Sequence, residues 1–145
     1  MKKFAILLVA ITLGTACGNS TETSSENTST EMSGEDQVMG LKKEIMEVHD
    51  KTMAEMTTMS KLRKELRKAS KETTDTAAYY NAYQDLHQAH EDMMDWMHNF
   101  QSPDEMDVSE AEKIEYLKEQ KDKVIQLEEY TMTSIDKAQK VLTKK

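Results

Sequence analysis

The sequence predicts an all-α protein: an elongated up-down-up bundle of three helices, preceded by a signal peptide and a disordered tether. Between residues 36 and 145 the only glycine is Gly40 and the only proline is Pro103. The same stretch is rich in Ala, Leu, Met, Glu, Lys and Gln, which all favour helices. No window alternates apolar and polar residues as a strand would. Short connections favour antiparallel neighbours, which gives the up-down-up order.

The first 16 residues have the pattern of an export signal. Lys2 and Lys3 come first, an almost wholly apolar run follows at residues 4–13, and small residues then lead to Cys17. This is the order of basic, apolar and small residues in a secretory signal peptide. The apolar run is too short to remain as a membrane span. We therefore predict that residues 1–16 are removed and that the protein is exported.

Cys17 is the single cysteine, so a disulfide within one chain is impossible. It ends the stretch "LGTAC", which resembles a bacterial lipobox, although the usual Leu three residues before the cysteine is Gly14 here. Acyl chains on Cys17 would hold the protein stably at a membrane. The resemblance implies a lipid anchor on Cys17, and Gly18, in place of the Asp of the retention signal, favours the outer membrane. An ordinary cleaved signal with a free thiol is the alternative.

Residues 17–35 carry the cysteine and then a polar tether. Half of residues 18–35 are Ser or Thr, and Met32 is the only large apolar residue among them. Such a segment buries too little apolar surface to order itself. About eighteen flexible residues reach roughly 25 Å. The bundle should therefore stand near the bilayer without lying on it.

The charge balance argues against nucleic acid as a partner. The formal net charge is -8, and removal of Lys2 and Lys3 with the signal makes it about -10. Phosphate backbones and anionic lipid surfaces should repel such a protein.

The first predicted helix covers about residues 36–70. Its apolar residues recur mostly at steps of three and four, as an amphipathic helix requires, with an interruption at Thr52. A polar turn follows, in which Thr74 or Asp75 could cap the next helix. The apolar face consists of Val38, Leu41, Ile45, Val48, Met56, Met59, Leu62, Leu66 and Ala69.

The second and third helices are predicted at about residues 76–100 and 109–143. Between them, Ser102 and Pro103 could start a single turn. Ser109 followed by Glu112 forms a capping box at the start of the third helix. The second helix has the face Tyr79, Tyr83, Leu86, His90, Met93, Met97 and Phe100, and the third has Ile114, Leu117, Val124, Leu127, Ile135, Ala138 and Leu142.

The methionines of the first two helices should meet. An antiparallel hairpin with its turn near Thr73 pairs residues whose numbers sum to roughly 146. Met53 then faces Met93, and Met56 faces His90. The interpretation that we favour is packing, because methionine is flexible and fills irregular gaps in a core.

The alternative interpretation is a copper site. Thioether sulfur suits Cu(I), imidazole also accepts copper, and bundles build metal sites from facing helices. Haem between Met56 and His90 is a rarer possibility. The candidate Cu(I) ligands are His49, Met53, Met56, His90, Met93 and Met97.

No enzyme signature is visible in the sequence. There is no glycine after Gly40 to form a phosphate-binding loop, and no His-Glu-x-x-His motif. Asp95-x-x-His98 is a single copy of a motif that a di-iron bundle uses twice. We therefore expect that the protein is not an enzyme.

Two stretches carry a resemblance to a family. They are "EVHDKTMAEMTTMSKLRKEL" at residues 47–66 and "DMMDWMHNF" at residues 92–100. They resemble a family of small helical bacterial lipoproteins with the automatic label "viral A-type inclusion protein". Many of its members carry Pro where this chain has Ala54. The resemblance covers about residues 36–145, implies an exported, lipid-anchored helical protein, and supplies no catalytic residue.

Two functional hypotheses follow from the sequence. The first is a lipid-anchored, non-enzymatic bundle of the cell envelope that acts through protein contacts, including self-association of overhanging helix ends. The second is a small Cu(I)-binding envelope protein that uses the methionines and histidines named above.

Overall fold

The computed structural model describes residues 33–74 and 76–144, and the secondary structure in these two ranges is entirely helical. The helices are α1 (Gly34–Ala54), α2 (Met56–Ala69), α3 (Thr76–Asn99) and α4 (Glu110–Thr143). A single 3-10 turn at Pro103–Glu105 lies in the connection that leads to α4, where the Ser-Pro pair predicts a turn. The described helices form a bundle, as predicted.

The predicted signal peptide, Cys17 and most of the tether lie outside the described residues. Of the predicted tether only residues 33–35 are described, and the first helix begins at Gly34, two residues earlier than predicted. The hydroxyl of Ser33 accepts the N–H of Asp36 at 3.1 Å, which is the bond that caps a helix N-terminus. In the described part of the chain no helix combines the length and the apolar character needed to cross a membrane.

The first predicted helix is divided in two at Glu55. The N–H of Glu55 donates to the carbonyl of Thr52, three residues back, at 3.0 Å, and the α-helical pattern resumes when Met59 donates to the Glu55 carbonyl. Thr52 is fully buried, and its hydroxyl donates to the carbonyl of Val48 at 2.9 Å. A threonine hydroxyl that bonds back by four residues bends a helix, so Thr52 accounts for a break that needs neither Gly nor Pro.

The register between the helices follows from pairs of side chains. Met56 contacts His90, and Arg63, further along α2, donates to Nδ1 of His87, further back along α3, so these two helices are antiparallel neighbours. Lys51 of α1 pairs with Glu128 of α4 at 2.5 Å. Glu44 and Lys121, each seven residues earlier in its helix, pair at 2.6 Å. Helices α1 and α4 are therefore parallel, and Gly34 at the start of α1 lies beside Glu110 at the start of α4.

The core consists of two clusters, one on each side of the break. We call them the α1 cluster and the α2 cluster, and Met56, next to the break, packs against both. Burying each large apolar side chain stabilises the fold by about 1.5–3 kcal/mol. The α1 cluster contains Ile45, Met93, Trp96, Leu117 and Val124; the α2 cluster contains Met59, Leu62, Leu66, Tyr79, Ala82, Leu86, Ala89, Ile135 and Ala138.

The predicted apolar face of the second helix is wrong at one position. Met97 is 37 % exposed, while Trp96, which was not assigned to that face, is buried. Helix α3 packs against α1 and α2 on one side and against α4 on the other. Its buried stripe is therefore centred on Leu86 and Met93 and includes Ala82, Ala89 and Trp96 on the α4 side.

Candidate functional site

The most specific contact among the predicted ligand residues joins α2 to α3. The Nδ1 atom of His90 lies 3.2 Å from the sulfur of Met56, in a partly buried position. These two residues are the pair that the hairpin register predicts. A thioether and an imidazole nitrogen therefore already face each other across the helix pair.

Two further predicted ligands lie in the same place. Met93, one turn after His90, is fully buried in the α1 cluster, and Met53, one turn before Met56, packs against that cluster. The offset of three places His90 and Met93 on one face of α3, while Met53 and Met56 lie on either side of the break at Glu55 and both pack against the α1 cluster. The structure therefore brings Met53, Met56, His90 and Met93 together, and we call this set the Met–His cluster.

His49 is oriented by a carboxylate. Its Nδ1 lies 2.9 Å from Oδ1 of Asp50, so this nitrogen carries the proton and donates. The other ring nitrogen, Nε2, is buried and has no hydrogen-bond partner within the described part of the chain. The side chain is only 16 % exposed, and its ring lies 5.9 Å from that of Trp96. A buried acceptor without a partner costs about 1–3 kcal/mol. Histidine ligands of metals commonly have this arrangement, with a carboxylate on the other ring nitrogen.

Trp96 connects His49 to α4. The indole N–H of Trp96 donates to Oε1 of Gln120 at 3.1 Å, and both side chains are buried. Its ring centroid is 5.2 Å from that of Phe100, which is 6.2 Å from that of Tyr116. The hydrogen bond and this aromatic row fix the position of Trp96.

The remaining methionines and histidines of α3 lie at the surface. Met94 is 42 % exposed, Met97 is 37 % exposed, and His87 and His98 are exposed as well. Of the six predicted ligands, two are therefore outside the Met–His cluster: Met97, which lies at the surface, and His49, which lies beside Trp96. The side chain that faces His49 at this level is Trp96 instead.

The cluster is suited to a soft metal ion by the chemistry of its atoms. Thioether sulfur and imidazole nitrogen favour Cu(I), whereas carboxylates favour harder ions. Within residues 33–74 and 76–144 no group of three or more His, Cys, Asp or Glu side chains is placed to hold a metal. The Met–His cluster differs from such a group because three of its four members are methionines.

A cationic surface on α2 is a second candidate site, which the sequence analysis missed. Helix α2 carries five basic residues and one acidic residue. All three lysines of α1 have a carboxylate partner, namely Lys42, Lys43 and Lys51. In the described part of the chain, no basic side chain of α2 has one; only Arg63 has a polar partner, which is His87. The signal in the sequence was the local excess of positive charge within an acidic protein.

Three adjoining depressions follow this surface, and we call them together the cationic groove. The first, of about 410 Å³, is mainly apolar and lies where α2 and α3 meet near the turn. The second, of about 190 Å³, is basic and shares Arg67 and Tyr83 with the first. The third, of about 370 Å³, shares Ser60 and Lys64 with the second and reaches Met56. The apolar depression is lined by Leu66, Arg67, Ser70, Thr76, Tyr79, Tyr80 and Tyr83.

On its other side, α3 is joined to α4 by an ion pair between Asp85 and Lys137. Lys137 donates to Asp85 at 2.7 Å, and this hydrogen bond raises the pKa of the Lys137 ammonium. Burial, and then the charges of Asp85 and Asp92, raise the pKa of the Tyr130 hydroxyl. Both groups are therefore protonated at neutral pH.

Comparison with known proteins gave no match to a family model, to a curated protein or to a solved structure. The resemblance to the small helical lipoproteins rests on the quoted motifs and stays a prediction.

Proposed function

We propose that this chain is a lipid-anchored, non-enzymatic protein of the cell envelope that acts through contacts with another protein. The export pattern of residues 1–16 and the lipobox-like position of Cys17 support the anchor. The tether joins the bundle at Ser33, beside the start of α4. The bundle is thus attached at one end, and the turn between α2 and α3 lies at the other.

The observation that carries the contact role is that, among the described residues, the basic side chains of α2 have no carboxylate partner. Exposed ion pairs contribute about 0–1 kcal/mol each, so leaving these residues unpaired costs the fold little. Complementary charges across an interface raise the rate and the specificity of association. Tyr80, at the edge of the same groove, is 62 % exposed, and tyrosine is one of the residues that most often dominate interfaces.

Photo-crosslinking in living cells tests the contact role. A photoreactive phenylalanine derivative at Tyr80 should give an adduct of one defined mass, and the same group at Asp122, an exposed position of α4, should not. Equal adducts from both positions, or none from Tyr80, would contradict a contact role for this face.

Metabolic labelling tests the anchor. The chain should incorporate radiolabelled palmitate and sediment with membranes, whereas the variant Cys17→Ser should do neither. A labelled Cys17→Ser variant, or an unlabelled wild-type chain, would contradict acylation of Cys17.

A second candidate function is the binding of Cu(I), and two observations favour it. Met56 and His90 are already within 3.2 Å of each other, and Nε2 of His49 is a buried acceptor that packing leaves without a partner. Metal ligation would use that lone pair, and the carboxylate of Asp50 would hold the ring in place.

Titration with Cu(I) against a competing chromophoric chelator tests this second function. We expect one ion per chain, and at least about tenfold weaker binding in the double variant Met53→Leu, Met93→Leu. The matched control is Met39→Leu, Met94→Leu, because both of these methionines are exposed. Leucine preserves the packing volume, so unchanged stability with lost binding would identify ligands. No competition by the wild-type chain, or equal binding by the two double variants, would rule the copper role out.

A further inference from the structure

The cationic groove has the length and the linear form of a segment of polypeptide. Its α2 side is formed by residues that recur at steps of three and four, which places them on one face of the helix. They extend from Met56 to Ser70, about 20 Å along the helix axis. The residues of this line are Met56, Ser60, Arg63, Lys64, Arg67 and Ser70.

The charge of the groove specifies an anionic partner. Lys61, Lys64, Arg67 and Lys68 are exposed and have no carboxylate within ion-pair distance in the described part of the chain, and Glu65 is the only acid on α2. The rest of the protein is acidic, with a net charge of -8 for the whole chain. Four of the five basic residues of α2, namely Lys61, Arg63, Lys64 and Arg67, line the groove, and positive charge concentrated there attracts an anion more strongly than scattered charges would.

The apolar depression at one end adds a second requirement. Its walls are the side chains of Leu66, Tyr79 and Tyr83, with Tyr80 at the open edge and Arg67 at the border with the basic depression. A cavity of about 410 Å³ lined in this way takes one large apolar side chain. The partner should therefore carry an apolar side chain next to its negative charges.

We propose that the cationic groove binds an acidic segment of another protein, with an apolar side chain of that segment seated among Tyr79, Tyr80 and Tyr83. This inference rests on the contact function proposed above. A membrane surface fits less well, because a flat layer of headgroups does not enter a groove and because the groove ends at the turn opposite Ser33. A second copy of this chain would also bring acidic residues, and its binding is a separate outcome of the test.

The binding test uses the full lipidated chain in nanodiscs of neutral phosphatidylcholine and a defined probe. The probe is a fluorescein-labelled peptide in which one Phe precedes a run of Glu residues, and fluorescence anisotropy reports its binding. The variant Arg63→Gln, Lys64→Gln, Arg67→Gln should weaken binding at least about tenfold. The matched control Lys43→Gln, Lys118→Gln, Lys123→Gln removes the same charge from exposed positions elsewhere and should change binding less than about threefold.

Changes in the peptide separate the two requirements. Replacing Glu by Gln should abolish binding, and raising NaCl from about 0.05 M to about 0.3 M should weaken it. Tyr80→Ala should lower the affinity for the Phe peptide severalfold and leave the affinity for a peptide with Ala in place of Phe unchanged. Because Tyr80 is exposed, this variant keeps the fold.

Four results would overturn the proposal. The first is that the Gln peptide binds as tightly as the Glu peptide, and the second is that the control variant loses as much affinity as the groove variant. The third is that the groove binds phosphatidylglycerol vesicles and not the peptide, and the fourth is that the chain self-associates and the groove variant does not. The crosslinking experiment at Tyr80 keeps this inference apart from the broader one. If Tyr80 gives an adduct in cells but the peptide does not bind, the contact function stands and the acidic partner is wrong. If the peptide binds but Tyr80 gives no adduct, the binding chemistry of the groove stands and the contact function in cells is wrong.

Discussion

His90 Nδ1 lies 3.2 Å from the sulfur of Met56, and this contact stands at the boundary between the two core clusters. Met56 packs against both clusters, directly after the break at Glu55. The contact therefore fixes the register of α2 and α3 next to the interruption of the first predicted helix. Substitutions on each side of it should separate packing from ligation.

Met93→Ala should lower the free energy of unfolding by about 2–5 kcal/mol, because Met93 is fully buried and its removal leaves a cavity. Met93→Leu should cost less than about 1.5 kcal/mol. The matched control is Met94→Ala, which changes an exposed neighbour and should stay within about 0.5 kcal/mol of the wild type. Urea unfolding measures all three. Equal losses in Met93→Ala and Met94→Ala would show that α3 is rotated relative to the orientation described.

His49→Phe should leave the free energy of unfolding unchanged or raise it by up to about 1 kcal/mol. The variant removes a buried nitrogen without a partner and keeps a ring of similar size beside Trp96. If His49 binds metal, the same variant lowers the affinity for Cu(I) about tenfold. His98→Phe, at an exposed position, is the control for both measurements. A loss of more than about 2 kcal/mol would indicate that Nε2 has a bonding partner after all.

Gln120→Leu should cost about 1–3 kcal/mol, because it leaves the buried indole N–H of Trp96 without an acceptor. Adding Trp96→Phe removes that donor, so the double variant should lose less than the sum of the two single losses. A double-mutant cycle from denaturant unfolding gives the coupling. Strictly additive losses would mean that the hydrogen bond contributes nothing to stability.

Ser109→Ala should destabilise the start of α4 by about 0.5–2 kcal/mol, because Ser109 and Glu112 form a capping box. Ser109→Gly should cost only a few tenths of a kcal/mol. Thr133→Ala, at an exposed position inside α4, is the control. Thermal unfolding followed by circular dichroism measures the difference, and equal effects of Ser109→Ala and Thr133→Ala would exclude a capping role.

The same cap predicts a dependence on pH. The hydrogen bonds from the side chain and backbone of Ser109 lower the pKa of Glu112. A carboxyl whose pKa is lower in the folded chain stabilises the fold above its unfolded pKa, about 4.3 for Glu, and loses that effect as the pH falls through the folded value. The difference in melting temperature between the wild type and Ser109→Ala should thus be largest near neutral pH and shrink below about pH 4. A difference that grew on acidification would contradict this linkage.

The parts of the fold that depend on local sequence were predictable. The capping box at Ser109, the turn at Pro103 and the register that pairs Met56 with His90 each follow from spacing and residue type, and the structure confirms them. The break at Glu55 was not predicted, because the segment contains neither Gly nor Pro. It depends on which carbonyl the hydroxyl of a buried threonine bonds, and spacing does not determine that choice.

The parts that depend on neighbouring helices were predicted less well. Met97 was assigned to the buried face because it continues the spacing of His90 and Met93. Helix α3 contacts other helices on two sides, however, so its buried surface is wider than one line of residues at steps of three and four, and that spacing alone does not give its centre. The cationic groove was missed for a related reason. Whether Lys51 or Lys64 is paired depends on the acids that the adjacent helix presents, and Glu128 faces only the first of them.

The division of the core into two clusters has a mechanical consequence. A bundle attached through Ser33 and bound near Tyr80 would carry any tension along its length, across the break at Glu55. The α-helical hydrogen-bond pattern is interrupted there, and Thr131 of α4, one turn beyond Glu128, has a buried hydroxyl with no hydrogen-bond partner among the described residues. Under tension we expect the part of the bundle that contains the α2 cluster to unfold as one unit while the part that contains the α1 cluster stays folded. Optical-tweezers traces should then show two steps of extension in place of one.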